Sequence, residues 1–426
     1  MDAAALLGLP VAGHARKLTS PHMPDDSYDT IIVGAGIIGL AVAREILARR
    51  PSSRMLVVER EGATGAHQTG HNSGVIHAGV YYPPGSLKAQ LCVAGAASMY
   101  AYCERYGLDV QRIGKLIIAA KPQEISALDE LERRAHANGV PGIRRLDAHG
   151  LRDVEPHAVG VAALHSPHTG IVDFGAVCAQ MASDVRAAGG ELRLHWNVAS
   201  VSTAARTIRL RSTTGDEAEG ARAVFCAGLW ADRLARLAGA GPDPRIVPFR
   251  GGYLRLRPQR RELVRGLIYP VPDPRLPFLG VHLTPRVDGE VLLGPSALLA
   301  GARDAYSLRT VRGADVRDTV TWPGTWRMAR RWWRTGLNEL LLTASREAFA
   351  AEARRYVPQL RAQDLLPAFG GVRAQAVARD GRLVDDFLLS ATPRAIHVRN
   401  APSPAATSSL ALAERIVDAA DEIDGG

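Results

Sequence analysis

The chain of 426 residues is poor in cysteine, lysine and aromatic side chains, and it has no long hydrophobic run. The cysteines are Cys92, Cys103, Cys178 and Cys226. They are scattered and form no Cys-x-x-Cys pair, which excludes a dense disulfide framework and indicates structural thiols in a reducing compartment. No apolar run reaches the roughly 18 residues that a membrane span needs.

The first 27 residues also lack the apolar segment of a secretory signal. We expect them to form a tail, either loose or a weak targeting segment. In a bacterium the compartment would be the cytoplasm or the inner surface of the inner membrane, and in a eukaryote the mitochondrion.

Positive charge exceeds negative charge, with 52 Lys+Arg against 43 Asp+Glu and a formal net charge of +9. Arginine far outnumbers lysine. A basic balance favours acidic small molecules, anionic lipid surfaces or nucleic acid as partners. The sequence has no block of lysine and arginine and no RNA-binding motif, so we do not expect nucleic acid. The hydrophobic fraction of 46% is that of a packed globular protein.

The first strong pattern, YDTIIVGAGIIGLAVAREILARR, joins an apolar strand, a glycine turn and a helix. RMLVVER follows as a second buried parallel strand. Gly34, Gly36 and Gly39 fill the spacing G-x-G-x-x-G, which allows a tight turn, close approach of a pyrophosphate and close packing of helix on strand. The helix would begin at Ile37 and Ile38, where free N–H groups favour phosphate.

An acidic residue ends the second strand. Glu59, followed by Arg60, stands where a carboxylate accepts hydrogen bonds from an adenosine ribose. The pattern therefore predicts an ADP-containing dinucleotide, either FAD or NAD.

Further strand, turn and helix patterns recur in the middle and at the end of the chain, with strand-rich and helix-rich insertions between them. The predicted fold class is α/β. We expect a Rossmann-like nucleotide-binding domain of residues 28–105, 160–243 and 365–426, and a discontinuous substrate domain of antiparallel sheet and helices from residues 106–159 and 244–364.

Three histidines lie in one glycine-rich segment, GAHQTGHNSGVIHAGVYYPPG, at positions 67, 71 and 77. A zinc site at His67 and His71 has suitable spacing, but the intervening glycine disfavours a helix and no cysteine or acidic ligand is close in sequence. We therefore expect no metal. His67 is more typical of a structural group.

Six further motifs are specific in sequence: IIVGAGIIGLAVA, HQTGHNSGVIHAGVYYPPGSLKA, PFRGGY, IYPVPDPRLPFLGVHLTPRVDG, GVRAQAV and RNAPSPAATSS. Together they resemble the L-2-hydroxyglutarate dehydrogenase/oxidase family, a branch of the FAD-dependent, D-amino-acid-oxidase-like oxidoreductases. The resemblance covers roughly residues 28–417. It implies FAD as cofactor and oxidation of L-2-hydroxyglutarate to 2-oxoglutarate, with hydride transfer to flavin N5 and electrons passed to a quinone, another acceptor or oxygen.

Other substrates remain open on the same fold, namely an amino acid, an amine or another 2-hydroxy acid. One motif departs from the family, because this chain reads AGARDAY at Ala300–Tyr306 where the family has AFKREGY. If that loop touches the distal carboxylate or the acceptor, the departure alters affinity or acceptor choice.

The reaction needs a base near the hydroxyl and cations for two carboxylates. His77 and His282 compete for the role of base, and His77 is alternatively a structural histidine beside the flavin. The resemblance places Arg373 near the flavin's reactive edge as the carboxylate ligand; otherwise it pairs with Asp385 or Asp386. The weaker substrate-binding candidates are Arg250, Lys88 and Tyr269.

The resemblance also implies a set of flavin contacts: His71, Ser73, Gly74, Ala227, Gly228, Ser403, Ala405, Ala406 and Thr407. His71 matches a position where some relatives carry a flavin-attached histidine, although ordinary contact is the simpler expectation. Thr407 is alternatively a plain helix cap.

Four tryptophans alternate with arginines between residues 322 and 334. Such a pattern suits a membrane interface, which would give access to quinone. We prefer the alternative of a cap helix with its tryptophans packed inward and its arginines solvated.

Overall fold

The computed structural model describes residues 27–273 and 279–423, which divide into two units. The described residues of the first unit are 27–70, 174–247 and 374–423; those of the second are 71–173, 248–273 and 279–373. The predicted tail, apart from Ser27, lies outside the described residues.

The helices are α1 (Ile37–Arg49), α2 (Leu87–Arg105), α3 (Ile125–Ala137), α4 (Ala148–Val154), α5 (Phe174–Ala187), α6 (Ala231–Leu237), α7 (Gly313–Val320), α8 (Pro323–Ala344), α9 (Arg346–Arg354) and α10 (Ser409–Glu422). The strands are β1 (Tyr28–Val33), β2 (Met55–Val58), β3 (Val75–Ile76), β4 (Val110–Gln111), β5 (Lys115–Ala119), β6 (Arg144–Asp147), β7 (Ala162–Ser166), β8 (Gly170–Val172), β9 (Glu191–Arg193), β10 (Val198–Thr203), β11 (Ile208–Ser212), β12 (Glu217–Phe225), β13 (Arg245–Leu256), β14 (Leu267–Pro270), β15 (His282–Pro285), β16 (Val291–Gly294), β17 (Leu298–Leu299), β18 (Leu365–Val377), β19 (Leu388–Thr392) and β20 (Ala395–Asn400).

The first unit is built on a sheet whose parallel strands run in the order β20-β12-β1-β2-β9. The last three residues of β1, Ile31–Val33, and all four residues of β2 are buried and apolar, as strands covered on both faces require. α1 packs against α5 and α10, and ion pairs Arg44–Asp184 (2.8 Å) and Arg49–Asp418 (2.7 Å) join these helices. The predicted strand-turn-helix-strand beginning at Tyr28 is confirmed.

The second unit is built on a mostly antiparallel sheet, in which β5 and β14 form a parallel pair. Alternation along β5 sends Leu116 and Ile118 into one hydrophobic cluster and Ile117 and Ala119 into another. The sheet therefore has two buried faces. Tyr269 of β14 belongs to the same cluster as Ile117, and this face carries the groups described below.

The division between the units differs from the predicted one. Residues 71–105 and 160–173, which were expected in the nucleotide-binding domain, belong to the second unit. The reason is strand pairing, because β3 in the first range and β4 both pair with β8 in the second range. The other divisions, at 247/248 and 373/374, lie within β13 and β18.

Candidate active site

The glycine turn of the first unit leaves no room for side chains. Gly34 has φ +106°, and a Cβ there would lie 2.5 Å from the carbonyl oxygen of Cys226. A Cβ on Gly39 would collide with the carbonyl oxygen of Gly34. Gly36 is the residue before α1, and the Ile37 N–H donates to Thr69 Oγ1 (3.1 Å). These contacts give the close helix-strand packing that a dinucleotide turn requires.

The carboxylate at the end of β2 is held by the backbone. Glu59 is buried, and its two oxygens accept from the N–H groups of Ala35 (2.8 Å) and Glu61 (2.9 Å). His67 pairs with Glu61 through Nε2 (2.9 Å), and the Arg60 guanidinium lies 4.0 Å from the Trp230 ring centroid. His67 thus has the surroundings of a structural group.

The turn between β20 and α10 belongs to the same unit, and Pro404, Thr407 and Ser408 in it are buried. Ser408 rather than Thr407 is the residue before the helix, because Ser408 accepts the first helical hydrogen bond from Leu412 N–H (2.8 Å). The hydroxyls of Ser408 and Ser409 are buried and form no hydrogen bond within the described part of the chain.

These features fit FAD. The glycine turn and the α1 N-terminus would hold the pyrophosphate, and the two serine hydroxyls offer hydrogen-bonding groups that the described residues leave unused. Gly228 has φ +47° and begins a short helical turn at residues 228–230, directly after Ala227. Ser403, Ala405 and Ala406 belong to the turn before α10.

In the second unit, the histidine segment lies against β18. A Cβ on Gly371 would collide with the carbonyl oxygen of His71. The His71 ring stacks on Tyr306, with centroids 4.0 Å apart and 23° between the planes. Gly74 has φ +76° and its N–H donates to Asn72 Oδ1 (2.8 Å). Ser73 hydrogen-bonds the Tyr253 side chain.

The two candidate bases lie on this unit together. The His282 ring stacks on Tyr269, with centroids 4.1 Å apart, and Lys115 Nζ lies 4.1 Å from the Tyr269 centroid. Burial, followed by the positive charge of Lys115 and the neighbouring His282, holds the pKa of His77 well below its usual value. Burial likewise lowers the pKa of His282 to about 3. Both imidazoles are therefore neutral near pH 7.

The tautomer of His282 follows from its hydrogen bond. Its Nδ1 lies 3.0 Å from the carbonyl oxygen of Gly280. Because a carbonyl oxygen only accepts, Nδ1 carries the proton, and Nε2 is the acceptor of the neutral ring.

Arg373 lies in β18 and contributes to the same electrostatic environment. Its positive charge lowers the pKa of His282. Burial lowers the pKa of Arg373 itself, and the acidic groups of Tyr253, Glu339 and Tyr269 act in the opposite direction. Glu339 is on α8, where its Oε2 accepts from the Ala297 N–H (2.7 Å).

The remaining predicted substrate ligands have other neighbours. The Arg250 guanidinium donates to the carbonyl oxygen of Tyr306 through Nη2 (3.2 Å) and Nε (3.3 Å). Lys88 is buried, with Nζ 5.5 Å from the Tyr82 centroid. In the Ala300–Tyr306 loop, the buried Arg303 lies 3.9 Å from Asp315 and 3.7 Å from Asp318. The guanidinium of Arg303 in this loop thus forms ion pairs with carboxylates of its own unit.

Sequence reasoning missed Lys115, Tyr253 and Glu339. Lys115 had a detectable signal, since it opens the otherwise apolar strand GKLIIAA in a chain that rarely uses lysine. Tyr253 and Glu339 had none, because only tertiary packing brings them to Arg373. Within residues 27–273 and 279–423, no group of three or more His, Cys, Asp or Glu side chains is arranged to hold a metal ion.

The sequence profile of the family described as FAD dependent oxidoreductase (DAO) matches residues 29–419. The FAD-bound L-alpha-glycerophosphate oxidase of Mycoplasma pneumoniae has the same fold, with a TM-score of 0.76 at 22% identity over 93% of this chain and 95% of that chain. Fold and site thus define a flavin-dependent oxidoreductase.

Two relatives narrow the family. Mitochondrial L-2-hydroxyglutarate dehydrogenase of Homo sapiens is 43% identical over 425 residues, covering 96% of this chain and 91% of that protein. L-2-hydroxyglutarate dehydrogenase of Escherichia coli O17:K52:H18 is 42% identical over 390 residues, covering 92% of each. The chain therefore belongs to the L-2-hydroxyglutarate dehydrogenase family of FAD-dependent oxidoreductases, and FAD is its cofactor.

Proposed function

We propose that the protein oxidises L-2-hydroxyglutarate to 2-oxoglutarate. The similarity to the human and bacterial dehydrogenases supports this substrate. The structural observation that carries the proposal is His282, a neutral imidazole with a defined acceptor nitrogen, stacked on Tyr269 and within the electrostatic influence of Arg373.

The chemistry assigns a role to each group. Oxidation of a 2-hydroxy acid removes the hydroxyl proton and a hydride from carbon 2, and bound FAD supplies the hydride acceptor. His282 Nε2 accepts the hydroxyl proton, since a neutral ring with Nδ1–H directed at a carbonyl is oriented for that step. His77 is the second candidate for this role.

Arg373 binds the carboxylate next to the reacting carbon. A guanidinium keeps its charge even where burial lowers its pKa, and its planar fork suits a carboxylate. Burial lowers the pKa of the guanidinium, and the neighbouring Tyr253 and Glu339 act in the opposite direction, which favours its charged form. The reaction thereby has a base and a cation in one unit.

The test is an anaerobic visible spectrum of the FAD-loaded protein. L-2-Hydroxyglutarate should bleach the absorption band of oxidised flavin, and the D isomer should leave it unchanged. Bleaching by an amino acid or by another 2-hydroxy acid instead, with none by L-2-hydroxyglutarate, would replace the proposed substrate while keeping the class of enzyme.

The expected inward packing of the tryptophans is wrong for two of them. Trp322 is buried, but Trp326 and Trp333 are 63% and 56% exposed. They lie on α8, which also exposes three leucines and four arginines: Leu337, Leu340, Leu341, Arg327, Arg330, Arg331 and Arg334. Within the described residues, no helix is long and apolar enough to cross a bilayer.

We therefore propose that α8 rests on an anionic lipid surface, where a membrane quinone accepts the electrons. Exposed tryptophan and leucine insert at the headgroup level, and neighbouring arginines attract anionic lipid. The test is co-sedimentation with phosphatidylcholine vesicles with and without phosphatidylglycerol. Trp326→Ser with Trp333→Ser should abolish binding to the anionic vesicles, whereas Leu237→Ser, at an exposed leucine of the first unit, should not. Equal binding by all variants would contradict this surface.

A further inference from the structure

Lys115 is a buried lysine on the face of the sheet that carries His282. It is the first residue of β5 and pairs in register with Leu267 of β14. Alternation puts it on the same face as Ile117 and Tyr269. Its Nζ lies 4.1 Å from the Tyr269 centroid and 5.3 Å from the Tyr81 centroid, and the residue is 2% exposed.

Within the described part of the chain, no carboxylate acts on Lys115 to balance an ammonium group: burial and the Cys92 thiol are the influences on its pKa. The titratable groups that face it are Cys92, His77, His282, Tyr81 and Tyr269. A buried charge without a counter-ion is costly, so the position is explained when a ligand brings the negative charge.

Lys115 and Arg373 both influence the stacked pair of Tyr269 and His282. Lys115 and Arg373 both lower the pKa of His282, and both act on Tyr269, Lys115 across its ring face and Arg373 through its charge. A dicarboxylate whose reacting carbon lies beside His282 has one carboxylate for each cation.

Lysine, rather than arginine, suits a buried position whose negatively charged partner is present only when a ligand binds. The chain has only four lysines among its 52 basic residues. An arginine would stay charged in the buried site, whereas burial lowers the pKa of Lys115 to about 7, so that the ligand-free protein is relieved of part of the cost.

We propose that Lys115 binds the distal carboxylate of the substrate and thereby determines the preference for dicarboxylates. This inference rests on the proposed function, because it assigns the second cation of the same site.

The test compares dicarboxylate with monocarboxylate in the FAD-loaded protein. Lys115→Met should lower kcat/KM for L-2-hydroxyglutarate about 100-fold or more, because it removes the charge that meets the distal carboxylate. With L-2-hydroxypentanoate, which lacks that carboxylate, kcat/KM should change little. Binding of the unreactive pair glutarate and pentanoate, followed by the flavin spectrum, should show the same selective loss.

Control variants separate charge from packing. Lys121→Met removes an exposed lysine two residues beyond β5. It should leave kcat/KM unchanged for both L-2-hydroxyglutarate and L-2-hydroxypentanoate. Lys115→Gln is the second neutral variant if Lys115→Met fails to retain FAD. Equal losses for dicarboxylate and monocarboxylate in the folded variant, or no loss for either, would overturn the assignment.

Failure of the proposed function gives a different result. If glutarate binds in a Lys115-dependent way but L-2-hydroxyglutarate does not reduce the flavin, the substrate is wrong and Lys115 is still the carboxylate ligand. If L-2-hydroxyglutarate is oxidised and Lys115→Met keeps the full dicarboxylate preference, the substrate is right and the inference is wrong.

Discussion

Tyr269 and His282 face each other across two neighbouring antiparallel strands. The register Ile268↔Leu283 sets the two residues opposite each other, and their rings stack at 4.1 Å with 26° between the planes. The imidazole is held by this stack on one face and by the Gly280 carbonyl at Nδ1. Its orientation therefore depends both on the pairing of β14 with β15 and on the backbone of Gly280, two residues before the histidine.

His282→Gln should slow flavin reduction by L-2-hydroxyglutarate about 10²- to 10⁴-fold, the usual contribution of a general base. Stopped-flow absorbance under anaerobic conditions measures the rate. His149→Gln, at an exposed histidine of the same unit, is the control. A normal rate for His282→Gln together with a slow His77→Gln would transfer the role to His77.

Tyr269→Phe should keep the rate of flavin reduction within a few-fold of wild type, and Tyr269→Leu should lower it about tenfold, because an aromatic pair contributes about 0.5–1.5 kcal/mol beyond its buried area. The same stopped-flow experiment separates the two variants. If Phe and Leu are equally slow, the hydroxyl matters and the stack does not.

Glutarate binding should be accompanied by proton uptake at pH values above 7. Burial lowers the pKa of Lys115 to about 7, and a bound carboxylate raises it again, so the lysine gains a proton in the interval between the two values. Calorimetric titration in two buffers with different ionisation enthalpies measures this uptake. It should disappear in Lys115→Met, and its persistence there would assign it to another group.

Acid should destabilise the fold between about pH 6.5 and pH 3. Burial lowers the pKa of His282 to about 3 and that of His397 to about 4, whereas an unfolded histidine titrates near 6.5. The unfolded chain therefore binds more protons in this window, and the free energy of unfolding falls as the pH falls. Urea titrations across the window should show a weaker dependence for His282→Gln than for His149→Gln.

Gly39→Ala should lose FAD and stability together, since its methyl group would collide with the carbonyl oxygen of Gly34 and overpacking costs about 1–3 kcal/mol. The flavin-to-protein absorbance ratio and the melting temperature measure both effects. Gly241→Ala is the matched control, because no heavy atom lies within 4 Å of a Cβ there. Full FAD occupancy in Gly39→Ala would contradict the assigned turn.

Sequence patterns within short segments correctly predicted individual strand-turn-helix units of the first unit. The strand-turn-helix at Gly34 and the strand-turn-helix ending in α10 are confirmed because glycine spacing and apolar periodicity are properties of short segments. The predicted boundary after residue 105 lies later in the chain than the observed boundary after residue 70. Its position depends on β8, about 100 residues further along, pairing with β3 and β4.

In the candidate site, too, residues within sequence motifs were predicted, whereas residues brought together by tertiary packing were not. His77, His282 and Arg373 were found through motifs, and their catalytic roles stay predictions. Lys115 becomes significant only when β5 pairs with β14, and Glu339 only when α8 comes near Arg373. Sequence periodicity describes which face a residue occupies within its own element, but not which distant element covers that face.

The order of segments in the first unit has a consequence for biosynthesis. Its sheet is completed by β20, and α1 is covered by α10, both encoded after residue 374. The ribosome must therefore deliver nearly the whole chain before the unit that receives FAD can close. A premature stop anywhere upstream of β20 would leave the glycine turn translated but its sheet unfinished, so even late truncations should yield protein without flavin.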